Sequence, residues 1–139
     1  MLFPKKVKHR KWQTHRKSPK ALERPDTRGI TVAFGSHGLK AMTSGRLTSN
    51  QIEAARKVLT RVTGKGGKLW IRVFPDRPIT QKAAGLKMGK GKGDPDHFVF
   101  EVRPGRVLFE LDGVADAIAR DALRRAGAKL PMKTNTVTR

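Results

Sequence analysis

The order of apolar residues predicts an α+β protein. Its body is a two-layer domain in which a mixed or antiparallel sheet carries two helices on one side, extended by a basic N-terminal tail and a long basic Gly/Lys loop. Three observations carry this. Ile52, Ala55, Leu59 and Val62, and again Val114, Ile118, Ala122, Leu123 and Ala126, recur at helical spacing. Leu69, Ile71 and Val73 alternate with Lys68, Trp70, Arg72 and Phe74 at the period of a strand. The first 28 residues and the stretch from about 76 to 97 are rich in cations and poor in apolar groups.

Residues 1–28 read as a basic N-terminal extension. Ten cations (Lys5, Lys6, Lys8, Arg10, Lys11, Arg16, Lys17, Lys20, Arg24, Arg28) face only Glu23 and Asp26, a net +8. Leu2, Phe3, Val7, Trp12 and Leu22 follow neither a helical nor a strand period. The segment is therefore expected to be disordered alone and to order on a partner, with a solvated tail as the alternative.

Residues 29–139 read as a single α+β domain with a projecting loop at about 76–97. Gly29–Phe34 is β-prone, and a second short strand is expected from Gly38 to Met42 before a turn at Gly45. Thr48 and Gln51 have the spacing of a capping box, so a helix starts there, and Gly64 stops it. Its outer side carries Arg56, Lys57 and Arg61, which suit a phosphate backbone or simply a solvated face. Pro75 ends the strand containing Trp70. Phe98–Arg103 and Val107–Leu111, joined by Pro104-Gly105, read as an antiparallel hairpin. A second helix ends at Gly127, and Met132–Thr138 adds an edge strand.

The connection of more than 20 residues between Pro75 and Phe98 is long for a compact domain, which marks it as functional or disordered. From Thr80 to Gly93 it holds Lys82, Lys87, Lys90 and Lys92 with no acid, and it reads as a projection separate from the tail. In Lys87-Met88-Gly89-Lys90-Gly91-Lys92-Gly93, each glycine lets the backbone approach a phosphate or sugar and each lysine supplies a mobile charge.

The whole chain holds 31 Lys and Arg against 11 Asp and Glu, a net +20 over 139 residues, which calls for a polyanionic partner. Nucleic acid leads. With no cysteine, disulfides, thiolate nucleophiles and Cys-based zinc sites are excluded, as a reducing, cytoplasmic setting permits. No apolar run reaches about 18 residues, and no apolar stretch of about 7 to 15 residues follows the basic start, so neither membrane span nor signal peptide is expected. Pro4, Pro19 and Pro25 disfavour a mitochondrial presequence helix.

Enzymatic motifs fail individually. Gly89, Gly91 and Gly93 give GxGxG where a dinucleotide fingerprint needs GxGxxG, and no Gly-Lys-Ser/Thr completes a P-loop. His9, His15, His37 and His97 lack metal-ligand spacing, so they read as RNA contacts or surface residues, and no catalytic residue, metal or cofactor is expected. Ser36 beside His37 lacks a nucleophile elbow and is expected to point away from it. Asp94 and Asp96 read as turn acids around Pro95. Trp12, in the tail, is a better candidate than Trp70 or the phenylalanines for stacking on unpaired bases.

Several blocks then form a recognisable set. Met-Leu-x-Pro-Lys at the start, Phe34-Gly-Ser-His-Gly-Leu-Lys40, Gln51-Ile-Glu-Ala-Ala-Arg56, Trp70-Ile-Arg-Val-Phe-Pro-Asp76 with Pro78, Met88–Gly93 and Ala128-Lys-Leu-Pro131 together resemble the bacterial large-subunit ribosomal protein L sixteen family, nearly end to end. Beginning at Met1, the match argues against a removable presequence. The resemblance implies a non-enzymatic constituent of the large subunit in the cytoplasm that binds 23S ribosomal RNA and other large-subunit proteins. It also implies late entry into assembly, a place near the aminoacyl tRNA site and the peptidyl-transferase centre, contact with tRNA, and neither membrane nor small-molecule partners. Ribosomal RNA contacts are then expected at Lys5, Lys6, Lys8, Arg10, Lys11, Trp12, Arg16, Lys17, Arg56, Lys57, Arg61 and Arg72. The loop facing tRNA would use Lys82, Lys87, Met88, Gly89, Lys90, Gly91, Lys92 and Gly93. Some members carry an arginine that is hydroxylated where this chain has Lys87, so that modification is not expected here. The tail between Trp12 and Arg28 is longer than in many members, and its contacts do not transfer residue by residue. A free nucleic-acid chaperone or DNA-compacting protein shares the charge, and a nucleotide-dependent enzyme is the third class to exclude by binding.

Overall fold

The computed structural model describes residues 2–14 and 17–139. In chain order its elements are α1 (Pro19–Glu23), β1 (His37–Ala41), β2 (Gly45–Thr48), α2 (Ser49–Thr63), β3 (Lys68–Ile71), β4 (Arg77–Gln81), β5 (Asp94–Val102), β6 (Val107–Asp112), α3 (Asp116–Gly127) and β7 (Thr134–Thr138). The α+β expectation holds, with two sheets instead of one. One runs β3-β6-β1-β7 and the other β2-β5-β4, and the pairings among the described residues are antiparallel.

β6 explains the first sheet. Val107–Leu111 is buried at every position, so both faces need cover, which a central strand between β1 and β3 obtains. In register, Leu39 opposes Phe109, Ile71 opposes Phe109 and Leu69 opposes Leu111, so these side chains share one face. That face meets Ala122, Leu123 and Ala126 of α3 and Ile52, Ala55 and Leu59 of α2 in one core. The next row across the sheet, Trp70, Glu110 and Gly38, lies on the opposite face.

α2 begins as expected: Thr48 Oγ1 accepts from the Gln51 N–H and the Gln51 side chain accepts from the Thr48 N–H. It ends at Gly64, whose N–H donates to Thr60 O. α3 turns slightly from its predicted face. Ala119 is buried and Ile118 is 53% exposed, because the helix lies on β1 and β7 as well as on α2. β7 is the predicted edge strand.

Four expectations are corrected. Phe98–Arg103 and Val107–Leu111 are not a hairpin: β5 pairs with β2 and β4, while β6 joins the other sheet. Pro104-Gly105 carries the chain between sheets, and Gly105 N–H and Ala41 N–H are used to stitch that turn to the end of β1 (Gly105 N to Ala41 O 2.7 Å, Ala41 N to Arg106 O 2.8 Å). Gly29–Phe34 is not a strand, because the N–H groups of Ala33 and Phe34 go to the Glu110 carboxylate in place of a ladder. The expected 76–97 loop contains β4 and the start of β5, which leaves 82–93 as the connection; Asp94 and Asp96 therefore lie on a strand, not in a turn. Within the tail, Pro19–Glu23 forms a helical turn, with Ser18 capping it and Pro19 in the first turn, where a missing N–H costs nothing.

Candidate nucleic-acid interface

The tail and the Gly/Lys loop are joined, which corrects the expectation of two separate projections. Lys11 Nζ donates to Lys92 O at 3.4 Å, and Lys92 Nζ donates to the Trp12 carbonyl. Asp94, at the loop's return, lies 3.7 Å from Arg10 and 3.8 Å from Lys11. The Trp12 ring sits under the Arg77 guanidinium at 5.7 Å, and Arg77 in turn donates to Glu101. Glu101 also faces Lys17 at 3.6 Å and Arg46 at 3.9 Å, so one half-buried carboxylate organises three cations.

Lys5, Lys6, Lys8 and Arg10 are exposed along the tail, and Lys11 is half-buried by the loop. Arg16 and His15 lie outside the described residues. In the loop, Lys87, Lys90 and Lys92 are exposed and Met88 is 91% exposed, while Lys82 turns inward and donates to Gly89 O at 2.5 Å. Gly89 (φ 92) and Gly91 (φ 91) flank Lys90 (φ 56), a left-handed run that favours glycine. A Cβ at either glycine would meet open space, so backbone conformation and not crowding requires them. At Gly93 the reason differs: a Cβ would fall 2.8 Å from the Gln81 carbonyl.

The other predicted contacts divide. Lys57 and Arg61 are exposed on α2. Arg56 is held by Glu53 (2.9 and 2.5 Å), and that hydrogen bond lowers the Glu53 pKa and raises that of Arg56. Its charge is matched locally. Arg72 serves the fold: its Nη1 donates to Glu110 and to Thr31 O, each at 2.8 Å, and its guanidinium lies 5.4 Å from the Phe34 ring centre. Glu110 is fully buried and also accepts from the N–H groups of Ala33 (3.1 Å), Phe34 (2.6 Å) and Gly35 (2.8 Å). Burial alone would raise its pKa; the three amides and Arg72 outweigh that and hold it below the ordinary value.

His37 is buried, not a surface contact, and Ser36 does not point away from it. Ser36 Oγ lies 2.9 Å from His37 Nδ1, and His37 Nε2 lies 2.7 Å from Asp116, which Arg120 also grips. The hydrogen bonds from His37 and Arg120 lower the Asp116 pKa. Ser36 Oγ also reaches Leu111 O at 3.4 Å, so the chain of contacts ties β6 and β1 to the first turn of α3. Sequence reasoning missed this link because Asp116 lies 79 residues from His37. It also missed Asp94 and Arg77 as partners of the tail. The mixed aromatic and basic side of Lys68–Phe74 was the one available signal for the surface where Trp70 stacks on Phe34, ring centres 6.1 Å apart.

Among the described residues no group of three His, Cys, Asp or Glu is placed to hold a metal, and no helix is long and apolar enough to cross a membrane. Compared with known protein families, residues 4–137 match the model described as "Ribosomal protein L16p/L10e".

Proposed function

The chain belongs to the ribosomal protein L16p/L10e family, and from that premise we propose that its tail and loop bind 23S ribosomal RNA and help organise the aminoacyl tRNA site. Membership makes it a structural constituent of the large ribosomal subunit, working in translation in the cytoplasm among ribosomal RNA and other ribosomal proteins. In the finer reading, the Lys87–Gly93 loop contacts tRNA near the peptidyl-transferase centre, the chain joins late in assembly, and it positions RNA without catalysing a step itself.

The observation that supports this most is the clasp between Lys11, Trp12 and Lys92. It merges the tail and loop cations into one surface, so a folded RNA meets a continuous strip of charge carried on the folded domain. Mobile lysines on a glycine-rich turn suit irregular phosphate spacing, and the half-buried Glu101 cluster keeps the base of the strip in place.

Crosslinking and sequencing of RNA bound in intact cells, mapped separately to the tail and to residues 87–93, tests the reading. Crosslinks are expected in large-subunit RNA near the tRNA cleft. Crosslinks spread over messages or DNA would instead identify a general nucleic-acid chaperone. With purified RNA, neutralising about 8 to 10 phosphates predicts a slope of log affinity against log salt of order −5 to −9.

A further inference from the structure

Phe34 and Trp70 stack with ring centres 6.1 Å apart and planes 19° from parallel, yet Phe34 is 57% exposed. Nearby Phe74 is 43% exposed, and these rings border a shallow hollow of about 650 Å³ whose floor includes Ile71, Val73 and Phe100. An exposed aromatic on an irregular segment would ordinarily be loose. Here its backbone is pinned: the N–H groups of Ala33, Phe34 and Gly35 all donate to buried Glu110, which shares the Trp70 row of the sheet. Gly35 is required at this point, since a Cβ there would stand 2.5 Å from Leu111 O. The buried carboxylate thus holds an outward-facing aromatic rigid, and rigidity lowers the ordering cost of a contact.

The surroundings are cationic. Lys68 Nζ lies 5.5 Å from the Trp70 ring centre, Arg72 lies against Phe34, and Arg106 lies 5.5 Å from the Phe100 ring centre, with Asp76 the one acid lining the hollow among the described residues. Arg72 is committed to Glu110, and Arg106 to Asp26 and the carbonyls of Arg28 and Arg72, which leaves Lys68, beside the Trp70 ring, as the cation of this group best placed to meet a phosphate. Aromatic faces beside a cation are what an unstacked nucleobase and its phosphate require, and an apolar protein side chain would gain nothing from the charge.

We propose that the Phe34–Trp70 face, bordered by Leu2 of the tail and separate from the Lys87–Gly93 loop, is a stacking platform for an unpaired base of ribosomal RNA, a proposal resting on the RNA-binding reading above. Trp12, the other tryptophan, has its ring under Arg77 and its carbonyl on Lys92, so it serves the clasp.

The test uses full-length protein and deproteinised large-subunit RNA. Trp12→Phe leaves Trp70 as the single indole, and its emission should be quenched as RNA is added. Phe34→Leu, which keeps an apolar group at an exposed position, should weaken binding about tenfold within the range measured for base stacking and reduce the quenching, with the salt slope unchanged. Phe34→Tyr should restore both. Tight RNA binding with unquenched Trp70 and no effect of Phe34→Leu would overturn the platform while leaving the RNA reading intact. Absence of RNA binding by the unsubstituted protein would overturn both.

Discussion

Replacing Glu110 with Gln keeps its shape and removes its charge. The carboxylate accepts from three backbone N–H groups and from Arg72, two donors on each oxygen. In Gln, whichever way the amide turns, its NH2 faces two of those donors, and Arg72 loses its counter-charge. Breaking one partner of a buried ion pair costs about 3–5 kcal/mol. Converted at about 4 °C per kcal/mol for a chain of this size, Tm should fall by about 12–20 °C. The pH dependence should change as well. Because the folded pKa lies below the unfolded one, the unfolded chain binds more protons in acid. Glu110 therefore adds stability above its unfolded pKa, and that contribution is lost as pH falls through the folded value. Urea titrations at neutral pH and at several values below about pH 4.5 should show the parent losing stability towards acid and Glu110→Gln losing less. A neutral-pH loss under about 1 kcal/mol, or identical acid slopes, would refute the account of Glu110 as a charged anchor.

Thr48→Ala removes the capping box of α2 and should cost about 1 kcal/mol by urea unfolding, with RNA affinity unchanged; no loss would mean the cap is redundant. Leu123→Ala, at the contact of α3 with the sheet, should cost about 2–5 kcal/mol, and a smaller value would show that the core collapses around the cavity. Trp12→Ala should speed amide exchange across residues 87–93 without lowering Tm appreciably; unchanged exchange would show that tail and loop are not coupled in solution. Lys90→Ala should weaken RNA binding and flatten its salt slope by about one unit, whereas Lys92→Ala should in addition reproduce the exchange effect of Trp12→Ala, since Lys92 holds the Trp12 carbonyl.

Much of the local structure was legible because its causes are local. Thr48, Gln51 and Gly64 bracket α2 with side chains and backbone a few residues apart, and α3 follows its period to Gly127. The strands Gly45–Thr48 and Arg77–Gln81 were not legible: neither alternates cleanly, and each owes its conformation to pairing with β5. The apparent hairpin misled for the same reason. Pro104-Gly105 is a proper turn, and turn chemistry does not say which strands pair on either side of it.

Composition, charge and spacing by themselves determined a polyanionic class of partner, with nucleic acid leading, an α+β body with two helices, and the cationic tail and loop, because net charge and helical or strand period are properties of neighbouring residues. Only the tertiary structure decided that β5 and β6 part into different sheets, that Lys92 closes on Trp12, and that Arg72 belongs to Glu110 and not to the outer surface. Each of these joins residues about 38 or more positions apart or competes with an equally good local partner, and for Arg72 the choice rests on burial: a carboxylate shut inside the protein takes whatever donors the fold brings to it.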